Sequence, residues 1–208
     1  MLCRTGKEMT MLSMNLPNKI SFIRIALIPV FVVLLFVEFE WHMLASMVVF
    51  FVASATDFFD GYIARSKKLV TELGAFLDTT ADKMLVACAL IAVAAVMTPV
   101  VEPTTPYTIA IVAVSMIIVS RELMISGFKA MSAKKGAMLT ADMFGKIKAV
   151  MQMAAIILLL PVEDYYKVNI SAAQGVFYAG FALLMLAGLL TILSAINYLV
   201  RNKSVLKG

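Results

Sequence analysis

Asp57-Phe58-Phe59-Asp60-Gly61-Tyr62-Ile63-Ala64-Arg65, eight further residues, then Gly74-Ala75-Phe76-Leu77-Asp78-Thr79-Thr80-Ala81-Asp82: the rest of the chain is read from this stretch. Four aspartates stand here in a sequence that is otherwise mostly apolar. A carboxylate in a lipid-spanning helix costs roughly 2.5–3.5 kcal/mol, so four cost on the order of 10 kcal/mol unless cations, water or partner charges offset them. Four carboxylates facing one cavity are therefore first an expected metal site.

The surroundings are membrane-like. The chain has 208 residues, 62% of them hydrophobic, and a mean hydropathy of +0.95. A soluble domain is nearer half apolar. Long apolar runs such as Ile25 to Val37 and Ala149 to Leu160 make an integral membrane protein the expectation. At about 20 residues per span, the length allows an all-α bundle of six transmembrane helices. No sizeable soluble domain fits beside it. The expected spans cover residues 18–37, 43–64, 73–97, 107–130, 142–160 and 172–199, in one transmembrane domain. Pro99, Pro103 and Pro106 mark one loop, Lys134-Lys135-Gly136 a second, and Pro161 with Glu163-Asp164 a third. Residues 1–14 have no apolar signal-peptide core and are expected to be peripheral or disordered. Cys3 and Cys88 are far apart in the sequence and are not expected to pair.

Charge sets the orientation. Of 18 lysines and arginines, all but Lys83 and Lys167 cluster near the start of span one, after the even spans, or around the helix ends on that same side. Glu38, Glu40, Glu102, Glu163 and Asp164 fall on the opposite side. The positive-inside rule then puts both termini and the four aspartates at the cytoplasmic face. The net charge of +5 is accounted for by topology, and nucleic acid is not an expected partner. Trp41 and His42 fall on the basic-poor side and are expected to anchor that interface.

At roughly 100° per helical residue, Asp57, Asp60, Gly61 and Ala64 share one stripe. Gly74, Asp78 and Asp82 share another at i, i+4, i+8. A short connection makes the two helices expected antiparallel neighbours with facing stripes. Their small residues permit close approach of something bulky. All-oxygen ligand sets suit Mg²⁺ or Mn²⁺, and the absence of His and Cys from the cluster argues against zinc. Four carboxylates suffice for two ions about 3.5–4 Å apart, an arrangement that serves phosphoryl displacement. Arg65 can neutralise phosphate oxygens bidentately. The competing readings are interhelical polar packing, with Asp82 paired to Lys83, or a cation pathway in a transporter. A pathway calls for acids near the midplane with access from both sides, whereas these crowd one face.

The run Asp-x2-Asp-Gly-x2-Ala-Arg-x8-Gly-x3-Asp-x3-Asp resembles the signature of the CDP-alcohol phosphotransferases at all of its defining positions. That resemblance implies two divalent ions on Asp57, Asp60, Asp78 and Asp82, with Asp82 also the base for the acceptor hydroxyl. It implies a CDP pocket lined by Gly61, Ala64, Arg65 and Gly74, with the tails of CDP-diacylglycerol leaving sideways into the membrane lipids. It also implies a homodimer. The flanks Asn15 to Arg24, Ser120 to Lys129 and Gly145 to Gln152 resemble the phosphatidylglycerophosphate synthases of that family, which implies glycerol 3-phosphate as acceptor and the bacterial plasma membrane as location. Asn18 and Ser21 are then expected to touch the nucleotide, or else to be polar groups at a helix start.

An anionic acceptor needs fixed positive charge near the metals. Arg121 lies inside a span, and Arg121 and Lys129 are i, i+8 on one face. Lys146 and Lys148 open the next helix, whose N-terminal dipole favours anions. Arg121, Lys129, Lys135 and Lys146 are thus the expected phosphate-binding residues. Alternatives stand beside them. Lys134, Lys135 and Lys148 suit topology or anionic-lipid contacts. Lys146 is in reach of Asp142, and Arg121 could pair with a buried carboxylate such as Glu122 from another helix. The expected reaction gives phosphatidylglycerophosphate and CMP; the runner-up is the same chemistry on inositol phosphate, serine or phosphatidylglycerol.

Overall fold

The computed structural model describes residues 16–67, 72–100, 105–134 and 143–201, and every regular element among them is helical. The order is α1 (Leu16–Phe36), α2 (His42–Lys67), α3 (Glu72–Val100), α4 (Pro106–Lys134), α5 (Met143–Leu159), α6 (Val162–Val168) and α7 (Ile170–Arg201). Four segments are long and apolar enough to cross a membrane: Thr79–Met97, Pro106–Lys129, Gly145–Val168 and Ile170–Tyr198. Ile23–Phe36 and His42–Thr56 are shorter apolar helices.

The interior is a continuous apolar cluster, with Phe31, Phe50, Leu85, Leu90, Ile156 and Leu184 fully buried. The outside is apolar as well. Phe36, Ile91, Met116, Leu123, Val150 and Leu189 all face outward. So large an exposed apolar surface is not tolerated in water, and it identifies the bundle as an integral membrane protein. The most extensive packing joins α5 to α7, α1 to α2 and α1 to α3, while α4 lies between α3 and α7.

Local sequence explains where the helices begin. Thr105 precedes α4, its hydroxyl accepts the Thr108 N–H at 3.4 Å, and Pro106 takes the first helical position, where its missing N–H costs nothing. The loop expected around Pro99 starts later, because α3 runs through Pro99 to Val100. A proline in the last turn removes a single hydrogen bond.

The loop expected at Pro161 is instead a two-turn helix, α6. Pro161 sits at its N-cap, Glu163 and Asp164 fill the first turn and Lys167 the last, so charge matches the helix dipole at both ends. Buried Asp164 also accepts the Leu44 N–H of α2 at 2.9 Å and pairs with Lys167 at 3.0 Å. Asp164, one of the two acids read as loop markers, thus ties α6 to the start of α2. Asn169 follows, and its side-chain oxygen accepts the Ala172 N–H at 3.1 Å, capping α7.

The two residues expected to anchor the interface, Trp41 and His42, differ in exposure. Trp41 is 41% exposed, with φ of 68°. His42, at 8% exposed, turns inward against Phe39, with ring centroids 6.0 Å apart.

Two glycines let α7 approach its neighbours. A Cβ at Gly180 would lie 2.8 Å from Leu159 Cγ on α5, and one at Gly188 would lie 2.6 Å from Val114 Cγ1 on α4. Valine has little χ1 freedom in a helix and cannot easily turn away. Gly188→Ala should therefore destabilise the bundle by about 1–3 kcal/mol through overpacking. Adding Val114→Ala should recover most of that loss. Thermal unfolding in detergent of the two single variants and the double measures it; a double variant no better than Gly188→Ala alone would show that the contact is not the cause.

Candidate active site

Helices α3, α4, α5 and α7 enclose a cavity of about 870 Å³. Each contributes polar groups to an apolar wall. Asp82 comes from α3; Arg121, Glu122 and Lys129 come from α4; Lys146 and Lys148 from α5; and Ser194 from α7. The i, i+8 relation read from the sequence holds, since Arg121 and Lys129 reach the same space. Lys83, expected beside Asp82, lines it too. Counted together, Lys83, Arg121, Lys129, Lys146 and Lys148 face Asp82 and Glu122, an excess of three positive charges.

A network joins three of the helices. Glu122 Oε1 accepts hydrogen bonds from Lys148 Nζ and from Arg121 Nη1 at 3.3 Å. Arg121 Nη2 donates to Ser194 Oγ at 2.7 Å. Arg121 Nε is sealed from solvent and has no hydrogen-bond partner among the described residues. The expected alternative partner of Arg121 is thus real, but Glu122 is its neighbour on the same helix. Lys148 is not a surface topology residue: it is 3% exposed and pairs with Glu122. Burial of an ammonium to that degree requires such a partner.

Asp82 is half-buried at the cavity wall. The helical backbone puts Asp57 and Asp60 on α2 and Asp78 on α3. The side chains of Asn18, Ser21, Asp57, Asp60, Gly61, Ala64, Arg65, Gly74 and Asp78 lie outside the described residues, as do Lys135 and Asp142 entirely. Among the expected site residues, the structure therefore brings together Asp82, Arg121, Lys129 and Lys146.

Sequence reasoning missed Ser194 and Tyr198. Tyr198 lines the cavity and packs edge-on against Phe128, centroids 5.6 Å apart. A signal existed: Ser194, Asn197 and Tyr198 are i, i+3, i+4, a polar stripe on an otherwise apolar helix.

The sequence model of the CDP-alcohol phosphatidyltransferase family matches residues 14–196. A CDP-diacylglycerol–glycerol-3-phosphate 3-phosphatidyltransferase of Bacillus subtilis (strain 168) is 38% identical over 158 residues, 70% of this chain and 76% of the relative. Its namesake in Salmonella typhimurium is 36% identical over 187 residues, 89% of this chain and 93% of the relative. The one in Yersinia pestis (strain Pestoides F) is 35% identical over 190 residues, 90% and 94% of the two chains.

Proposed function

Because the chain belongs to the CDP-alcohol phosphatidyltransferase family, we propose that it transfers the phosphatidyl group of CDP-diacylglycerol to sn-glycerol 3-phosphate, giving phosphatidylglycerophosphate and CMP. The observation that carries this reading is the cavity in which one half-buried aspartate meets five basic side chains. A neutral acceptor such as serine has no use for that excess of positive charge. A phosphomonoester carries about two negative charges at neutral pH and does. The relatives' names point to the same acceptor.

In this reading Arg121, Lys129 and Lys146 hold the acceptor phosphate, together with Lys135. Arg121 Nε, buried and without a partner among the described residues, is a donor available to a phosphate oxygen. The acceptor hydroxyl then lies towards Asp82. Asp82 takes its proton as the oxygen attacks the β-phosphorus, and the bond from that phosphorus to CMP breaks. Asn18, Ser21, Gly61, Ala64, Arg65 and Gly74 bind the CDP moiety.

Asp57, Asp60, Asp78 and Asp82 offer carboxylate oxygen only, a donor set that fits two hard divalent cations, Mg²⁺ or Mn²⁺. Such ions, when bound, supply Lewis-acid stabilisation of the pyrophosphate and of departing CMP. The basic clusters at the even connections and both ends of the chain put the site and termini on the cytoplasmic side of a bacterial plasma membrane. Six spans and a homodimer complete the proposal.

Purified protein should release CMP from CDP-diacylglycerol with glycerol 3-phosphate and not with serine, inositol phosphate or phosphatidylglycerol. Mass spectrometry of the lipid product identifies the headgroup; another headgroup would replace the acceptor assignment. Activity should vanish reversibly in EDTA, and full turnover in excess chelator would remove the metals from the mechanism.

Asp82→Asn keeps the shape and removes proton acceptance, so turnover should fall at least about 10²-fold. Binding of CDP-diacylglycerol should suffer less. Near-normal turnover would mean that the proton goes elsewhere.

Arg121→Ala should weaken acceptor binding by roughly 2–4 kcal/mol, the cost of breaking a buried charged pair, read as a raised KM for glycerol 3-phosphate. The KM for CDP-diacylglycerol should change little. A purely structural arginine predicts lower thermal stability with an unchanged acceptor KM.

A further inference from the structure

Transfer to a phosphorylated acceptor uses one carboxylate in the cavity, Asp82, and leaves Glu122 without a chemical task. Its position gives it one. Both Glu122 and Lys148 line the cavity, and the Glu122 side chain, 26% exposed, is the more accessible of the pair, that of Lys148 being 4% exposed. Its Oε1 holds Lys148 and Arg121 at once, and among the described residues it is the ion-pair partner of Lys148. A single oxygen bridging two cations, in a cavity with a positive excess, does what a phosphate oxygen would do there.

We propose that Glu122 is an exchangeable counter-anion for the acceptor-phosphate subsite. It neutralises Lys148 and Arg121 while no phosphomonoester is present and yields them when one enters. The inference rests on the proposed acceptor reading and deepens it. Acceptor and product carry the same phosphomonoester, so a subsite that grips the first also retains the second. A carboxylate competing for the same cations weakens both and favours product release.

The sign of the test follows from the geometry. Arg121 does not depend on Glu122 for its place, because Ser194 Oγ holds Nη2 at 2.7 Å. Removing the negative charge therefore takes away repulsion and competition while leaving the guanidinium anchored. In Glu122→Gln, the KM for glycerol 3-phosphate and the inhibition constant for inorganic phosphate should both fall, by about fivefold or more for one unit charge close to a dianion. The kcat should fall with them, and a pre-steady-state burst of CMP should appear as product release becomes limiting. The KM for CDP-diacylglycerol should stay the same. Glu122→Asp keeps the charge but shortens its reach. It should shift both phosphate constants in the same direction by about twofold, and it serves if the glutamine variant does not fold. Constants that rise or stay unchanged in a folded variant overturn the proposal and make Glu122 a residue that only positions Lys148. The inorganic phosphate arm, read by thermal shift as well as by inhibition, tests Glu122 whichever alcohol the wild-type protein accepts. Failure of the acceptor reading and failure of this one are thus seen separately.

Discussion

A charge inside an apolar bundle must be answered by another charge, and the architecture of this protein follows from how that is done. Lys148 lies almost wholly inside, where an unpaired ammonium would be several kcal/mol unfavourable. Glu122 answers it across the α4–α5 contact. Arg121 shares that carboxylate and reaches Ser194 on α7. One network thereby links three helices around the cavity that it lines. Buried ion pairs are poor sources of net stability, since desolvation consumes most of the Coulombic gain. Their presence here reads better as function than as glue.

The glue lies elsewhere. Gly180 and Gly188 bring α7 against α5 and α4 too closely for a Cβ, and helices in lipid associate through such close van der Waals packing because no hydrophobic drive exists between them. Down α7 the small residues give way to Ser194 and Tyr198, which line the cavity. The same helix is sealed against its neighbours at Gly180 and Gly188 and polar one to three turns further on. A rigid packed section behind an open charged one is what a site handling both a lipid and a soluble anion requires, since the first must hold its shape while the second admits water.

Much of this could be read in the residues. Apolar runs of span length dictate a helical membrane bundle, and the positions of Arg121 and Lys129 on one helical face place them in one space. What could not be read is where a side chain ends once helices pack. Lys148 and Lys146 are two residues apart and look alike in sequence, yet the first is buried and the second exposed. That difference depends on whether Glu122 of another helix is within reach, a tertiary fact. His42 likewise carries no sequence mark that distinguishes inward from interfacial. Pro161 with two acids reads equally as a loop or as the first turn of a helix, because both need a proline tolerated and a dipole matched. Buried Asp164, bonded to the Leu44 N–H, goes with the helix.

The division of charge between the two sets of carboxylates completes the picture. In the proposed site Asp57, Asp60, Asp78 and Asp82 would repel one another unless divalent cations held them, which makes them an attractive locus for metal and pyrophosphate. Glu122 is already satisfied by protein cations and exerts no such demand. Two anionic substrates must sit side by side for transfer, which is opposed by their mutual repulsion. In the proposed site one takes its countercharge from metals and the other from fixed lysines and arginines, which would remove that repulsion without forcing both onto the same cations. Asp82, half-buried at the wall of the basic cavity and last in the aspartate series, is common to both halves of the proposed site. In the proposed mechanism the base stands at that junction, because the proton it receives leaves the acceptor as the bond to the donor forms.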